Sequence, residues 1–312
     1  MKLTLITNDI SQLHEISPGH IESPLRINAI LQAIKQSSIA NNIEYYKSKP
    51  ADLDIVKLAH SDSYINTLMS HTPKLGYRKL PLSFCANPEN VQIGPNTFQA
   101  ALHAVGSVLS GIDLLHQKKA HHIFCLTRPP GHHAEQSRAI GYCYFNNLAI
   151  CALYAIQKMY FKKIAIVDFD AHHGNGIESI LRDRNDILYI SSYQHPYNNF
   201  KEPPCNKNCI RIHLSAKSGG DEFRAAWSQI GLQALEDYKP QLILVAAGFD
   251  GHYMDQMSDL LLNDQDFSWL ATLLVYIANK YADGRILSAL EGGYNLNILG
   301  KSVVTYLNAF TL

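Results

Sequence analysis

Four short segments of this sequence place histidine, aspartate or tyrosine beside glycine. They are residues 128–134 (RPPGHHA), 168–176 (DFDAHHGNG), 247–252 (AGFDGH) and 291–295 (EGGYN). Each segment follows a run of apolar residues that is typical of a buried strand. The carboxyl ends of parallel strands meet at one edge of a sheet, which is where such folds form their sites. We therefore expect the polar side chains of all four segments to surround one site.

Two carboxylates and one imidazole in these segments form a candidate metal-binding set. Asp170 and His172 are two residues apart, so they project from the same side of a strand end, and Asp250 follows another strand. Three protein ligands that leave one coordination position open are typical of a hydrolytic metal centre. Ligand chemistry alone would accept zinc, iron or cobalt.

The other polar groups of the four segments could supply the proton transfer and charge stabilisation that metal-assisted hydrolysis needs. A Pro-Pro-Gly run breaks the first strand, so His132 and His133 can converge on an irregular loop and exchange protons with a metal-bound water. Tyr294 follows two glycines and could donate to a developing oxyanion, and Asp168 could fix the tautomer of an imidazole. Singly, such residues are more often caps, turns or core residues. Their combination at four strand ends favours a functional interpretation.

Strands and helices alternate along the chain, and they must position these segments. The predicted strands are residues 3–7, 43–46, 123–127, 164–168, 187–191, 210–214, 242–246 and 286–289. The predicted helices are residues 24–35, 95–116, 146–158, 176–182, 221–237, 264–281 and 296–308. Several strands are continuous apolar runs, as expected when both faces of a parallel sheet are covered. We predict a single α/β domain over residues 1–312, with a mostly parallel central β-sheet and helices on both faces.

The composition argues against several other classes of protein. Lys and Arg together number 27, as do Asp and Glu, so there is no electrostatic reason to expect direct binding to nucleic acid or an anionic membrane. No uninterrupted apolar run is long enough to span a bilayer. Six cysteines in 312 residues do not indicate a disulfide framework. We expect a globular, cytoplasmic protein, and the sequence does not predict its oligomeric state.

Taken together, the motifs resemble the histone deacetylase superfamily, whose fold is arginase-like. The similarity is greatest to class II enzymes and bacterial histone-deacetylase-like amidohydrolases. Residues 14–26 (HEISPGHIESPLR) resemble the opening motif of the family, and residues 58–65 (LAHSDSYI) resemble a later one. Its central motifs are matched by residues 128–133, 141–147, 168–176, 247–250 and 291–295. The resemblance extends over nearly the whole chain.

This resemblance implies a role for each site residue. The implied zinc ligands are Asp170, His172 and Asp250. The implied general acid/base pair is His132 and His133, with Tyr294 as the oxyanion donor. A structural potassium ion is implied near Asp168 and Ser191. Asn175 stands where class I relatives have an aspartate that orients the second histidine, as in class II, and this uncharged partner should support a charged histidine less strongly.

The resemblance also predicts a narrow channel for the substrate. Gly141 and Tyr142 match one aromatic wall of the lysine tunnel of the family. The opposite wall normally precedes a Pro-Gly-Thr-Gly run that is missing here, which leaves Tyr197 and Phe200 as rival candidates. Members of the family usually have an aspartate at the rim that binds the substrate backbone, and Glu89 or Asn90 falls near that position. Both residues could equally lie in a solvated loop without this role.

The leading interpretation is a zinc-dependent amidohydrolase that removes acetyl groups from Nε-acetyl-lysine in proteins or peptides. An acetylpolyamine amidohydrolase, acting on an acetylated small amine, ranks second because no long acidic insertion lies between His71 and Pro95. A non-catalytic acetyl-lysine binding module is disfavoured because His132, His133 and Tyr294 are all present. A binuclear, arginase-like ureohydrolase would need a further set of metal ligands.

Overall fold

The computed structural model describes residues 3–87, 91–196 and 207–311. Its strands are β1 (Leu3–Thr7), β2 (Ile43–Lys47), β3 (Arg78–Lys79), β4 (Gln92–Ile93), β5 (His122–Cys125), β6 (Ile164–Asp168), β7 (Ile187–Gln194), β8 (Cys209–Leu214), β9 (Leu242–Ala247) and β10 (Ile286–Leu290). Its helices are α1 (Leu25–Gln36), α2 (Leu53–Val56), α3 (Asp62–His71), α4 (Thr97–His116), α5 (Asn147–Met159), α6 (Asn175–Leu181), α7 (Gly220–Ala226), α8 (Leu232–Tyr238), α9 (Asp264–Tyr281) and α10 (Leu296–Asn308).

The main sheet has eight strands in the order β2-β1-β5-β10-β9-β6-β7-β8. Every neighbouring pair is parallel, which confirms the predicted parallel sheet. The strands that precede the four polar segments are β5, β10, β9 and β6, and they are consecutive in the middle of this sheet. Their carboxyl ends therefore lie side by side.

Helices cover both faces of the sheet, as predicted. Successive residues of a strand point to opposite faces, so Phe124 packs on one side and Ile123 and Cys125 on the other. The first hydrophobic core contains residues of α2 to α6, and the second contains residues of α1 and α7 to α10. Helix α4 has the length and hydropathy of a membrane span, but 72% of its most apolar stretch is buried. Packing inside the domain accounts for its apolar character.

Several parts of the chain differ from the predicted elements, among them the short elements α2, β3 and β4, which were not predicted. The predicted helix at 221–237 is interrupted at Trp227–Gly231 by a π-helical turn. A Cβ at Gly231 would lie 2.2 Å from the ring of the buried Trp227, so this wide turn needs glycine opposite the indole. Helix α3 was also not predicted. It begins after Ser61, whose hydroxyl accepts a hydrogen bond from Tyr64 N.

Candidate metal and acid/base site

Three of the four polar segments line one pocket of about 520 Å³, and Asp250 of the fourth segment lies against Asp170 and His172 of that lining. Its lining includes the predicted site residues His132, His133, Gly141, Tyr142, Asp170, His172, Asn175 and Tyr294. The convergence follows from the topology, because the four central strands all end at this edge of the sheet. Tyr197, Phe200, Glu89 and Asn90, which were predicted at the channel and its rim, lie outside the described residues.

Asp170 and His172 line the pocket, and Asp250 lies beside both of them. Their potential ligand atoms are all within 4.8 Å of one another. His172 Nδ1 lies 3.1 Å from Asp170 Oδ1 and 3.0 Å from Asp250 Oδ2. Among the residues that the structure describes, no other group of three His, Cys, Asp or Glu side chains lies close enough together to bind a metal ion. The arrangement suits a divalent cation that prefers nitrogen and oxygen ligands.

The charges of this group favour a bound cation. Burial opposes ionisation of Asp170, but His132 and His172 hold the pKa of that carboxyl well below its usual range. Burial and the neighbouring Asp170 raise the pKa of Asp250 to about 6. The pKa of His172 is raised, against the effect of burial, by its hydrogen bonds to the two carboxylates. Two buried carboxylates that draw a proton onto an imidazole would also attract a metal ion in place of that proton.

Two glycines allow the main chain to approach these carboxylates closely. A Cβ at Gly248 would lie 2.1 Å from Asp170 Oδ2. A Cβ at Gly292 would lie 2.5 Å from both Asp170 Oδ2 and Asp250 Oδ2, and the backbone N–H of Gly292 donates to Asp170 Oδ2 at 2.8 Å. Glycine is therefore required at both positions for the carboxylates to keep this placement.

His132 and His133 converge on the loop after β5, as predicted. Their ring centroids are 4.0 Å apart. His132 Nδ1 lies 3.2 Å from Asp168 Oδ2, and His133 Nδ1 lies 2.8 Å from Asn175 Oδ1. One histidine thus has a carboxylate partner and the other an amide partner. Because Asn175 Nδ2 donates to Glu135 Oε1 at 3.0 Å, its oxygen faces His133 and must accept a proton from Nδ1.

The surroundings of the two histidines drive their pKa values apart. Burial lowers the pKa of His132, but the carboxylates of Asp170 and Asp168 outweigh it and raise the value to about 10. Burial, together with the charges of His132 and His172, holds the pKa of His133 well below its usual value. His132 therefore holds a proton more strongly than His133 does. Paired groups with opposite shifts are typical of acid/base sites.

Tyr294 faces the same pocket from the turn after β10. Its backbone N–H and that of Asn295 both donate to Asp255 Oδ2, at 2.7 and 2.9 Å. Its ring centroid lies 5.9 Å from that of Tyr142 and 4.8 Å from the guanidinium carbon of Arg26. Burial raises the pKa of Tyr294 well above its usual value. The phenol is therefore protonated at neutral pH and available as a hydrogen-bond donor.

Gly141 and Tyr142 form one wall of the pocket, where they were predicted. Both have left-handed backbone conformations, with φ of +53° and +69°. A Cβ at Gly141 would lie 2.4 Å from the His133 ring, so only glycine fits there. The ring of Tyr142 also contacts His20 edge to face, with centroids 4.7 Å apart. This turn fixes the aromatic wall relative to the acid/base loop.

Asp168 and Ser191 are register partners on β6 and β7, beside the metal-binding group. Asp168 Oδ2 accepts a hydrogen bond from the Tyr189 hydroxyl at 2.9 Å, in addition to its contact with His132. Ser191 Oγ lies 3.2 Å from His173 Nδ1. The position of Asp168 fits the predicted orienting role, and the potassium site at these residues stays a prediction.

Several buried charged residues of the site lie within the sequence motifs but had no predicted role. Arg26 Nε donates to Gly293 O at 2.6 Å, next to Tyr294, and Arg128 Nε donates to Glu22 Oε1 at 2.6 Å. Burial opposes ionisation of Glu22, but Arg128 lowers its pKa to about 2. These charged residues lie inside the motifs at 14–26 and 128–134. Their opposite charges were the feature of the sequence that could have indicated a buried ion pair between the two motifs.

Comparison with known proteins agrees with this fold. A family profile described as the histone deacetylase domain matches residues 20–310. The chain resembles the crystal structure of the HDA15 HD domain with a TM-score of 0.88 and 24% identity, over 98% of this chain and 88% of that one.

Three curated relatives differ in how much of their length the chain covers. It is 33% identical to an uncharacterized protein of Synechocystis sp., over 94% of both chains. It is 31% identical to the type-2 histone deacetylase 2 of Dictyostelium discoideum, over 99% of this chain and 21% of that protein. It is 30% identical to the polyamine deacetylase HDAC10 of Danio rerio, over 91% of this chain and 43% of that protein.

Proposed function

We propose that this chain, which belongs to the histone deacetylase family, is a zinc-dependent deacetylase that hydrolyses the amide bond of Nε-acetyl-lysine in proteins or peptides. One observation carries the proposal: an acid/base pair, a tyrosine and two of the three residues of a metal-binding group line one pocket. The residues concerned are Asp170, His172, Asp250, His132, His133 and Tyr294.

The metal-binding group fits the proposed cofactor. Asp170, His172 and Asp250 would hold zinc with one nitrogen and two carboxylate oxygens, which leaves positions open toward the pocket. When bound there, the ion would supply Lewis-acid chemistry, polarising an acyl carbonyl and lowering the pKa of a water.

The histidine pair can move the protons that amide hydrolysis requires. His133 Nδ1 donates to Asn175 Oδ1, so its Nε2 carries the lone pair and can accept a proton from the attacking water. The low pKa of His133 keeps this nitrogen free of a proton at neutral pH. His132 lies beside His133 and contacts Asp168, and the histidine that has accepted the proton can return it to the leaving amine.

Tyr294 can stabilise the oxygen that becomes negatively charged during attack. Its hydroxyl is protonated at neutral pH, and its backbone is held by Asp255 before any substrate binds. A donor fixed in advance costs no reorganisation when charge develops on the oxygen. Tyr142, whose ring contacts that of Tyr294, would pack along the aliphatic part of a lysine side chain.

The charge of the pocket favours acetyl-lysine over an acetylated polyamine. A polyamine keeps ammonium groups that need carboxylate partners when they leave water. The acidic side chains among the described lining residues are Asp170, in the metal-binding group, and Glu135. Glu135 already accepts from Asn175 and lies 3.9 Å from a guanidinium nitrogen of Arg138. Acetylated polyamines are the second candidate, which the similarity to a relative named polyamine deacetylase supports.

The test is a pair of initial-rate series with the zinc-loaded protein, one on an acetyl-lysine peptide and one on N-acetylputrescine. We expect kcat/KM to be at least about tenfold higher for the peptide, since each tenfold preference needs about 1.4 kcal/mol of differential transition-state binding. The Tyr294→Phe variant is purified in parallel, and any activity that it shares with the wild type at the same level would come from contaminants. A higher kcat/KM for the polyamine would contradict the proposed substrate, and no hydrolysis of either would contradict the proposed reaction.

A further inference from the structure

A fully buried carboxylate, that of Glu291, lies behind the acid/base loop. Its Oε2 accepts hydrogen bonds from the backbone N–H of Gly131 at 2.7 Å and of His132 at 3.1 Å. We propose that Glu291 is a positioning residue that fastens the histidine loop to the turn that carries Tyr294. This inference rests on the proposed function, because it assigns Glu291 a part in that reaction.

The backbone of Glu291 connects it to the rest of the site. Its N–H donates to Ala247 O at 2.9 Å, at the end of the strand that precedes Asp250. Its carbonyl oxygen accepts from Arg26 Nη2 at 2.5 Å. The N–H of the next residue, Gly292, donates to Asp170 Oδ2 at 2.8 Å. Glu291 and Gly292 together thus link the histidine loop, the metal-binding group and the tyrosine turn.

The hydrogen-bonding state of this carboxylate indicates that it does more than fill space. Burial raises the pKa of Glu291 to about 7. Its second oxygen, Oε1, is buried and has no hydrogen-bond partner in the part of the chain that the structure describes. An unsatisfied buried polar atom lowers stability, and an apolar side chain of the same length would avoid that cost. An apolar side chain could not, however, accept the hydrogen bonds that the two backbone N–H groups of the histidine loop donate to Glu291.

Three substitutions separate the position of the acceptor from its charge and its volume. Glu291→Met keeps the length but removes the acceptor, and Glu291→Asp keeps the carboxyl group but withdraws it by one methylene. Glu291→Gln keeps an oxygen that can accept from both N–H groups. We expect kcat to fall roughly 100-fold in the Met and Asp variants and less than about tenfold in the Gln variant, because a displacement of about 1 Å can cost 10²-fold. KM and the zinc content should stay unchanged.

A second readout does not depend on activity. Amide protons that donate to a carboxylate resonate downfield and exchange slowly with solvent. In Glu291→Met and Glu291→Asp we expect the amide protons of Gly131 and His132 to move upfield and exchange faster, with smaller changes in Glu291→Gln. If the wild-type protein deacetylates neither substrate, the proposed function fails. The amide signals would still test whether Glu291 fastens the histidine loop to the tyrosine turn.

The matched control is Asp266→Asn. Asp266 is also a fully buried carboxylate that accepts a backbone N–H, that of Asn263 at 2.9 Å, but it does so at the start of α9. We expect this variant to lower the melting temperature with kcat unchanged. Activity losses that simply follow melting temperature across all four variants would overturn the proposal. So would a larger loss in Glu291→Gln than in Glu291→Asp, or unaltered amide signals in Glu291→Met and Glu291→Asp.

Discussion

Replacing Tyr294 by phenylalanine removes one hydroxyl and leaves the rest of its environment in place. The ring contacts with Tyr142 and Arg26 do not involve the hydroxyl, and the bonds to Asp255 come from backbone N–H groups. The free energy of unfolding should therefore change by less than about 1 kcal/mol, as for substitutions that leave packing and buried polar groups intact. Losing one donor to an oxyanion costs about 2.7–4 kcal/mol, or 10²–10³ in kcat.

The assay measures kcat and KM of the zinc-loaded Tyr294→Phe variant on an acetyl-lysine peptide. We expect kcat to fall 10²- to 10³-fold with KM little changed, because the hydroxyl acts on charge that develops only in the transition state. Tyr253→Phe is the control, since Tyr253 is 57% exposed, and it should match the wild type. A loss of kcat below about threefold, or a rise in KM alone, would refute the assigned role.

Three further predictions address the rest of the site. Asp170→Ala should lose both activity and bound zinc, and one zinc per chain in this variant, measured by elemental analysis, would contradict its role as a ligand. His133→Ala should keep its zinc but lose about 10²- to 10⁴-fold in kcat, as expected when a general base is removed. Because Arg128 lowers the pKa of Glu22 from 4.5 to about 2, its ionisation should stabilise the fold by about 3 kcal/mol above pH 4.5. That contribution should disappear as the pH falls toward 2, so urea unfolding should show the stability deficit of Glu22→Gln shrinking over the same range.

The fold was predictable because several strands are continuous apolar runs and helices alternate with them along the chain. The predicted strand 164–168 matches β6, and the predicted helix 264–281 matches α9. The interruption of the helix at 221–237 was not predictable, because it depends on the packing of a buried indole against Gly231. The spatial order of the strands also depends on long-range pairing, which no local pattern contains.

The centre of the site was predictable from residue types and spacing, whereas its supports were not. Asp170 and His172 are two residues apart after a strand, so their proximity is local. Arg26 reaches the carbonyl of Glu291 across 265 residues of sequence. A single charged residue within a motif does not reveal whether it will be buried or which distant group it will hold. Such supports become visible only when the packing of the whole domain is known.

The most direct test of the central claim is a zinc titration of metal-free protein that follows bound zinc and released acetate together. The peptide substrate and the protein concentration are fixed, and zinc is added from zero to two equivalents. If Asp170, His172 and Asp250 form a catalytic zinc site, acetate release should rise in proportion to bound zinc and level off at one ion per chain. Full activity of the metal-free protein, or no acetate release at one zinc per chain, would contradict a zinc-dependent deacetylase.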